Sequence, residues 1–276
     1  MWMVGHLDAA ASSMTGITAR LHEPPRALRA HVAHIWELSG SWLQGADLLL
    51  PDTSIDISVH LHGEAEIYVA GRWSVLPARA VVGSLSHAMP LRHARPLHAF
   101  GIRLPPGDAR LLLLPAASLR DVICPLAQVA PGLDRTLAAI AAGIAAGRLG
   151  IHCVWQALGR AVRTETSNAV QRAALQLAGD RGRSIAALAR ELGISRRHLS
   201  RRFRTIIGWT PEEFRRLARF SAAAALAASA PVKRWSDIAI AAGYFDQAHF
   251  VRDFRSFASQ TPSAVFSAAW FSNFSR

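Results

Sequence analysis

The chain has 276 residues, 51% of them hydrophobic, and a formal net charge of +12. That length supports two domains with sizeable cores, and that hydrophobic share excludes a disordered chain. The charge is unevenly placed: residues 168–276 hold 17 Lys+Arg against 7 Asp+Glu, whereas residues 1–167 hold 14 against 12. A basic surplus confined to one region points to an anionic polymer as partner, most simply nucleic acid.

Lys233 is the only lysine, so the surplus is carried by arginine, which suits bidentate contacts to phosphate and guanine. Cys124 and Cys153 are the only cysteines. Two lone thiols frame neither a disulfide scaffold nor a zinc knuckle, and they fit a reducing cytoplasm. The start, MWMVGHLDAA, lacks a basic region followed by an apolar core, so no signal peptide is expected. No apolar run reaches the ~18 residues of a membrane span.

The first half reads as β-rich. HVAHIWEL (31–38), SIDISVHLH (54–62), AEIYVAG (65–71), ARAVVGSL (78–85) and LHAFGIRL (97–104) are short β-type runs separated by Gly, Pro and Asp. IDISVHL alternates apolar and polar residues, as a half-buried strand does. Pro105-Pro106-Gly107-Asp108 ends the last strand, and ARLLLL then reads as a short helix. His60 and His62, with Glu66 four residues on, resemble the HxH…E metal cluster of cupins. Strand alternation predicts both imidazoles on one face. The upstream Gly of that pattern is absent, and no second metal motif follows. A cupin-like metal-dependent enzyme with an accessory DNA-binding domain is thus the competing reading; no metal site and no cofactor are expected.

Residues 133–163 read as Ala-rich helix broken near Gly147–Gly150, with Leu137, Ile140, Ile144, Val154, Leu158 and Val162 at helical spacing. These helices are candidates for joining two domains or pairing across a homodimer. The polar TETSN at 164–168 marks the boundary.

Beyond it, two segments say nearly the same thing. SIAALARELGISRRHLSRRFRTIIGWTPEEF (184–214) and SDIAIAAGYFDQAHFVRDFRSFASQTPSAVF (236–266) each read as a short apolar-faced helix, a Gly turn, a polar-faced helix, then Thr-Pro. Gly193 pairs with Gly243, Phe203 with Phe254, and Thr210-Pro211 with Thr261-Pro262. Ser184 and Ser195 stand at N-cap positions. Leu199, Phe203 and Ile206 are expected to face the core, which leaves Arg196, Arg197, Ser200 and Arg201 on other faces. A recognition helix presents such N-terminal residues to base edges in the major groove. Thr210 through Glu213 is a strong helix start, with Glu213 completing a capping box. That helix is predicted to run from Pro211 to about Ser229, roughly 28 Å. Its Ala-rich half reads as a stiff spacer between two reading heads. In the second unit Phe245 falls where the first has Ser195, which leaves Asp246 to cap. Gln247, His249, Val251 and Arg252 are expected to point outward, and Phe250 and Phe254 inward. Ser259 takes the place of Gly208.

GISRRHLSRRFR, GWTPEEF and IAIAAGYFDQAHFVRDFRSFASQTP resemble the AraC/XylS family of bacterial transcription regulators. The resemblance implies a seven-helix DNA-binding domain over 168–270 that docks two recognition helices into the major groove of double-stranded DNA. The family's base-reading positions fall on Arg197, Ser200 and Arg201, and on Gln247, Ala248, Val251 and Arg252. Ala248 and Val251 depart from the polar residues often found there, and thymine-methyl contact is the alternative to hydrogen bonding. LLLPDTSIDISVHLHG and FGIRLPPGDARLLLLPAASLRDVICPLAQV resemble the sensor-type domain of one subgroup. That implies a small β-barrel-like module with helices over 1–165, an α+β protein overall, and a small-molecule effector. RNA polymerase and a second copy of the chain are further candidate partners. Cys124 and Cys153 are also candidates for the alkyl-acceptor thiols of some repair proteins fused to this domain.

Overall fold

The computed structural model describes residues 17–40, 47–93, 96–162, 169–229 and 234–266. Among the described residues the first part contains ten strands: β1 (Ile17–His22), β2 (His34–Gly40), β3 (Asp47–Leu49), β4 (Asp56–His62), β5 (Ala65–Val69), β6 (Arg72–Val75), β7 (Arg79–Val82), β8 (Met89–His93), β9 (Leu97–Arg103) and β10 (Ile123–Pro125). They form two antiparallel sheets. One has the order β1-β2-β9-β4-β7-β10, the other β3-β8-β5-β6. The barrel-like closure expected from the sequence is not seen among the described residues. Each sheet keeps two edges, and the chain passes from one sheet to the other at the β4–β5 turn through Gly63 at φ +79°.

The predicted alternation of β4 fails for a physical reason. Asp56, Ile57, Ser58 and Val59 are all buried, because the polar face is covered as well as the apolar one. Asp56 accepts hydrogen bonds from Trp36 Nε1 at 3.1 Å and from the Arg103 guanidinium at 2.7 Å. Arg103 also pairs with Asp52 at 2.8 Å. The polar side chains of β4 thus build a buried ion cluster, which satisfies charges that could not otherwise be taken from water.

A β-bulge between His60 and His62 breaks the register with β9. Such a bulge takes neighbouring side chains off a common face. Glu66 is ion-paired with Arg92 at 2.6 Å instead. Among the described residues, no group of three His, Cys, Asp or Glu side chains is arranged to hold a metal ion. The helix expected at 109–114 is replaced by turns. Asp108 accepts from the Arg110 backbone N–H at 2.9 Å and from its guanidinium, a local bond that competes with helix.

Helices α1 (Leu126–Val129), α2 (Pro131–Ala145) and α3 (His152–Ala161) pack on the first sheet. Leu137, Ile140, Val154 and Leu158 are buried there with Ile57, Phe100 and Ile102. The break between α2 and α3 falls at Gly147, as its left-handed φ of +67° requires. The boundary expected at 164–168 lies outside the described residues.

Seven helices follow among the described residues: α4 (Ala169–Gly179), α5 (Ile185–Glu191), α6 (Arg196–Ile207), α7 (Pro211–Ser229), α8 (Trp235–Ala241), α9 (Gln247–Ala258) and α10 (Pro262–Val265). Their core is continuous with the second sheet: Leu49, Ile67 and Leu91 belong to one apolar cluster with Leu188, Phe203, Trp209, Phe220 and Phe254. The fold is α+β. No helix of the described residues is long and apolar enough to cross a membrane.

Two half-buried histidines make the fold acid-sensitive. Burial, then the Arg103 charge, pushes His34 down to about 4. Burial above all pushes His93 down to about 3. Both take a proton near 6.5 in the unfolded chain, so the unfolded state binds more protons in between. Their contribution is complete above pH 6.5 and is lost as the pH falls toward 4, at up to about 1.4 kcal/mol per pH unit for each. Calorimetry should therefore show Tm falling between pH 7 and pH 4.5. His34→Gln, which takes up no proton, should make that slope shallower.

Candidate nucleic-acid interface

The two units are built on one plan with one difference. In each, the residue after the turn glycine donates its N–H back to the preceding helix: Ile194 to Ala189 O at 3.0 Å, Tyr244 to Ala239 O at 2.9 Å. Gly193 and Gly243 hold φ of +65° and +87°, which turns the chain between the paired helices. In the first unit the next residue, Ser195, caps α6 by accepting from His198 N at 3.1 Å. In the second, Phe245 intervenes, and Asp246 caps α9 by accepting from His249 N at 2.6 Å. Asp246 is therefore the counterpart of Ser195, and Phe245 is an extra residue in the turn. From the cap onward Arg197 corresponds to Ala248, Ser200 to Val251 and Arg201 to Arg252.

On α6, Arg196, Arg197 and Arg201 are exposed and Ser200 is half-buried. Arg197, Ser200 and Arg201 line an open cleft of about 450 Å³ together with Ser195, His198 and Arg204. Arg196 stands apart from it, 3.8 Å from Glu212. The periodicity argument did not single out His198 and Arg204; their spacing from Arg201 along the helix was the available signal. The buried face is Leu199, Phe203 and Ile207. Ile206, expected inward, is half-buried on another side. On α9, Gln247, Ala248 and Arg252 are exposed, His249 and Val251 half-buried, and Phe250 and Phe254 fully buried. Phe245 is 92% exposed.

Helix α7 holds both units. Its capping box is complete: Glu213 accepts from Thr210 N at 2.8 Å while Thr210 Oγ1 accepts from Glu213 N at 3.2 Å. Partial burial works against the Glu213 charge, yet these bonds hold its carboxyl below its usual range. Phe214 meets Phe203 of α6 edge-on at 5.3 Å, and Phe220 packs on Phe254 of α9 at 4.7 Å. The Ala-rich half is more than a spacer. Ala223, Ala224, Ala227 and Ala228 are buried, and α7 packs against α4, α8 and α9.

Helices α6 and α9 also touch the first half of the chain. The Arg120 guanidinium lies 3.8 Å from the centroid of the Trp209 ring and donates to Gly208 O at 2.9 Å. Trp209 Nε1 donates to Ser84 Oγ at 3.0 Å. Gly208 caps α6 at φ +89°, and a Cβ there would stand 3.0 Å from Ala117 Cα. Ser259 caps α9 in the same left-handed conformation, at φ 56°, as its correspondence to Gly208 suggested. At that end of α9, Ala88 N donates to Phe257 O at 2.7 Å. Arg183, at the edge of the first unit, is ion-paired with Glu191.

The thiols face elsewhere. Cys124 lies on β10 and Cys153 on α3, and burial pushes the Cys124 thiol up, away from the reactive thiolate.

Residues 188–268 match a family model described as a helix-turn-helix domain, and residues 20–125 match a domain of unknown function. No curated protein matches the sequence. Among solved structures, ToxT from Vibrio cholerae is 11% identical, with 83% of this chain and 97% of that chain covered at a TM-score of 0.49. A ToxT structure with bound unsaturated fatty acid, from strain SCE256, is 14% identical over 83% of this chain and 94% of that chain, also at 0.49. The AraC-like transcriptional activator CuxR is 15% identical over 77% of this chain and 87% of that chain, at 0.27.

The second unit is tied to α7 through a buried charge. Asp253 of α9 is 2% exposed and accepts from Arg216 Nε at 2.6 Å. Arg216→Ala removes the close partner of that carboxylate and leaves it His249 at 4.0 Å, and the expected cost is about 1–3 kcal/mol. Thermal unfolding of the full chain should reveal it, with Arg216→Lys recovering part of the loss.

Proposed function

We infer that this AraC-family helix-turn-helix regulator reads a bipartite site on double-stranded DNA with α6 and α9, under the control of a small molecule bound by its first half. It is a DNA-binding transcription regulator and not an enzyme. In this reading residues 168–270 are the reader, residues 1–165 the sensor and dimerisation module, and the protein works in the cytoplasm. The observation that carries the DNA reading is the pair of side-chain-capped helices, each exposing its N-terminal turns, mounted on the single helix α7.

Arg197 and Arg201 are assigned to base edges, Ser200 to a base or backbone oxygen, and Arg196 to phosphate. Gln247 and Arg252 are assigned the base edges of the second half-site, with Ala248 and Val251 beside them. Arg197→Ala and Arg201→Ala should each cost about 1–3 kcal/mol at a site selected from random duplexes, and should relax base preference there. Affinity should fall steeply with salt, as phosphate neutralisation requires. A folded chain that holds no duplex at low salt overturns the reading.

The effector reading is supported by a cleft of about 700 Å³, within the range of small-molecule sites. Leu113, Leu133 and Thr136 line it from the first half, and Gln171 of α4 and Ile206 of α6 from the second. An occupant would therefore touch the back of the first recognition helix. Gly132 also lines this cleft, and a Cβ there meets nothing within 4 Å. Gly132→Phe should fill the space without unfolding the chain. DNA affinity that responds to a metabolite extract in the parent should then become unresponsive in the variant, measured by fluorescence anisotropy.

A further inference from the structure

We propose that Phe245 is a specificity-determining residue that packs on a thymine methyl group in the second half-site, so that the second head reads by apolar contact where the first reads by charge and hydrogen bond. The proposal rests on the DNA reading above.

Three observations converge on it. The first is that Phe245 is the residue by which the second turn exceeds the first. The N–H bonds of Ile194 and Tyr244 place the two turns in register, and the caps Ser195 and Asp246 show where the extra residue falls. Among the described residues nothing uses its ring: Phe245 is 92% exposed, whereas its neighbour Tyr244 is buried. Single exposed apolar residues are common on protein surfaces. This one stands directly before the N-terminus of a recognition helix, the end that meets base edges in the groove.

The second observation concerns what surrounds it. At the positions where α6 carries Arg197 and Ser200, α9 carries Ala248 and Val251. Ala248 is exposed and Val251 half-buried, so the opening turns of α9 present methyl groups where α6 presents a guanidinium and a hydroxyl. In the major groove the thymine C5-methyl is the apolar feature of the base-pair edges. An aromatic ring followed by two small apolar side chains fits it. The third is charge. Arg252 and Arg255 are exposed further along α9, and Gln247 is exposed beside Asp246. The apolar group is thus bordered by side chains that hold a polyanion and by one that reads adenine, the partner of thymine. A hydrophobic protein surface would have no use for that border.

The experiment uses the full chain and a duplex selected by it from a random pool. Each thymine is replaced in turn by deoxyuridine, which removes the methyl and leaves the pairing edge intact. One methyl group lost from apolar contact corresponds to about a fourfold weaker affinity. At least one thymine-to-uracil change under the second unit should produce that loss with the parent protein. Phe245→Ala should bind the thymine and uracil duplexes equally, both at the weaker level, and Phe245→Leu should keep part of the difference. Because the side chain is exposed, Tm should be unchanged in both variants, which separates a lost contact from a lost fold.

Discrimination between thymine and uracil that survives Phe245→Ala overturns the proposal, as does unchanged affinity of that variant for the selected duplex. A variant with unchanged DNA affinity but reduced transcription in vitro assigns the ring to a protein partner such as RNA polymerase and also overturns it. Failure of this inference leaves the DNA reading standing, because Arg201→Ala should still weaken binding through the first unit. Failure of the DNA reading appears instead as no binding by the parent chain.

Discussion

The indole of Trp209 is the joint on which the arrangement of the two halves depends. It is buried between the end of α6 and the β-rich part of the chain. Arg120 covers the ring at 3.8 Å, and the ring nitrogen donates to Ser84 at 3.0 Å. The same guanidinium takes up the orphan carbonyl of Gly208, one of those a helix leaves unpaired at its C-terminus. Cation–π contact to a desolvated tryptophan contributes about 2 kcal/mol, and each hydrogen bond about 1 kcal/mol. The sum exceeds thermal energy several-fold, so the C-terminal end of α6 moves with the first half of the chain. Gly208 allows this closeness by its missing Cβ as much as by its left-handed backbone.

That joint explains why the two units are alike in plan and unlike in detail. The end of α6 is clasped by Arg120, Ser84 and Ala117. Among the described residues, the end of α9 is bonded to the first half by the backbone of Ala88, and there Ser259 suffices where the first unit needs glycine. What the second unit lacks toward the first half it gains toward α7: an ion pair between the partly exposed Arg216 and the buried Asp253, and the ring cluster of Phe220, Phe254 and Phe257. The first half therefore touches α6 directly, and α9 is held chiefly by α7.

Much of the reader was legible in the sequence because its determinants are local. Caps, turn glycines and apolar stripes act within one or two helical turns. Ser184, Ser195, Asp246 and the Thr210–Glu213 box all cap as their residue types dictate. The misreadings share another cause. Ile206 and Ile207 differ by one position on a helix, and which is buried depends on what covers α6 from outside its own unit. The alternation of β4 was a sound inference for a one-sided strand, and the Arg103 cluster made the strand two-sided. The β-runs at 17–22, 47–49, 72–75, 89–93 and 123–125 were missed because each is short or rich in residues with no strand preference. Pairing with a longer neighbour holds them in place. The clasp around Trp209 spans 125 residues of sequence, and no periodicity announces it.

The pairing of glycines with phenylalanines in the repeat carried more information than a match of motifs. Gly193 to Gly243 is a step of fifty residues, and Phe203 to Phe254 is a step of fifty-one. A constant helix-turn-helix frame cannot absorb that difference inside a helix, where one added residue would rotate every later side chain by about 100°. It must fall in the turn, and the caps locate it at Phe245. The buried residues of α9 keep their phase, so Phe250 and Phe254 pack as Leu199 and Phe203 do. The insertion left the core of the second unit untouched and changed only its outer surface. A change confined in that way alters what a recognition helix meets without altering how it is held.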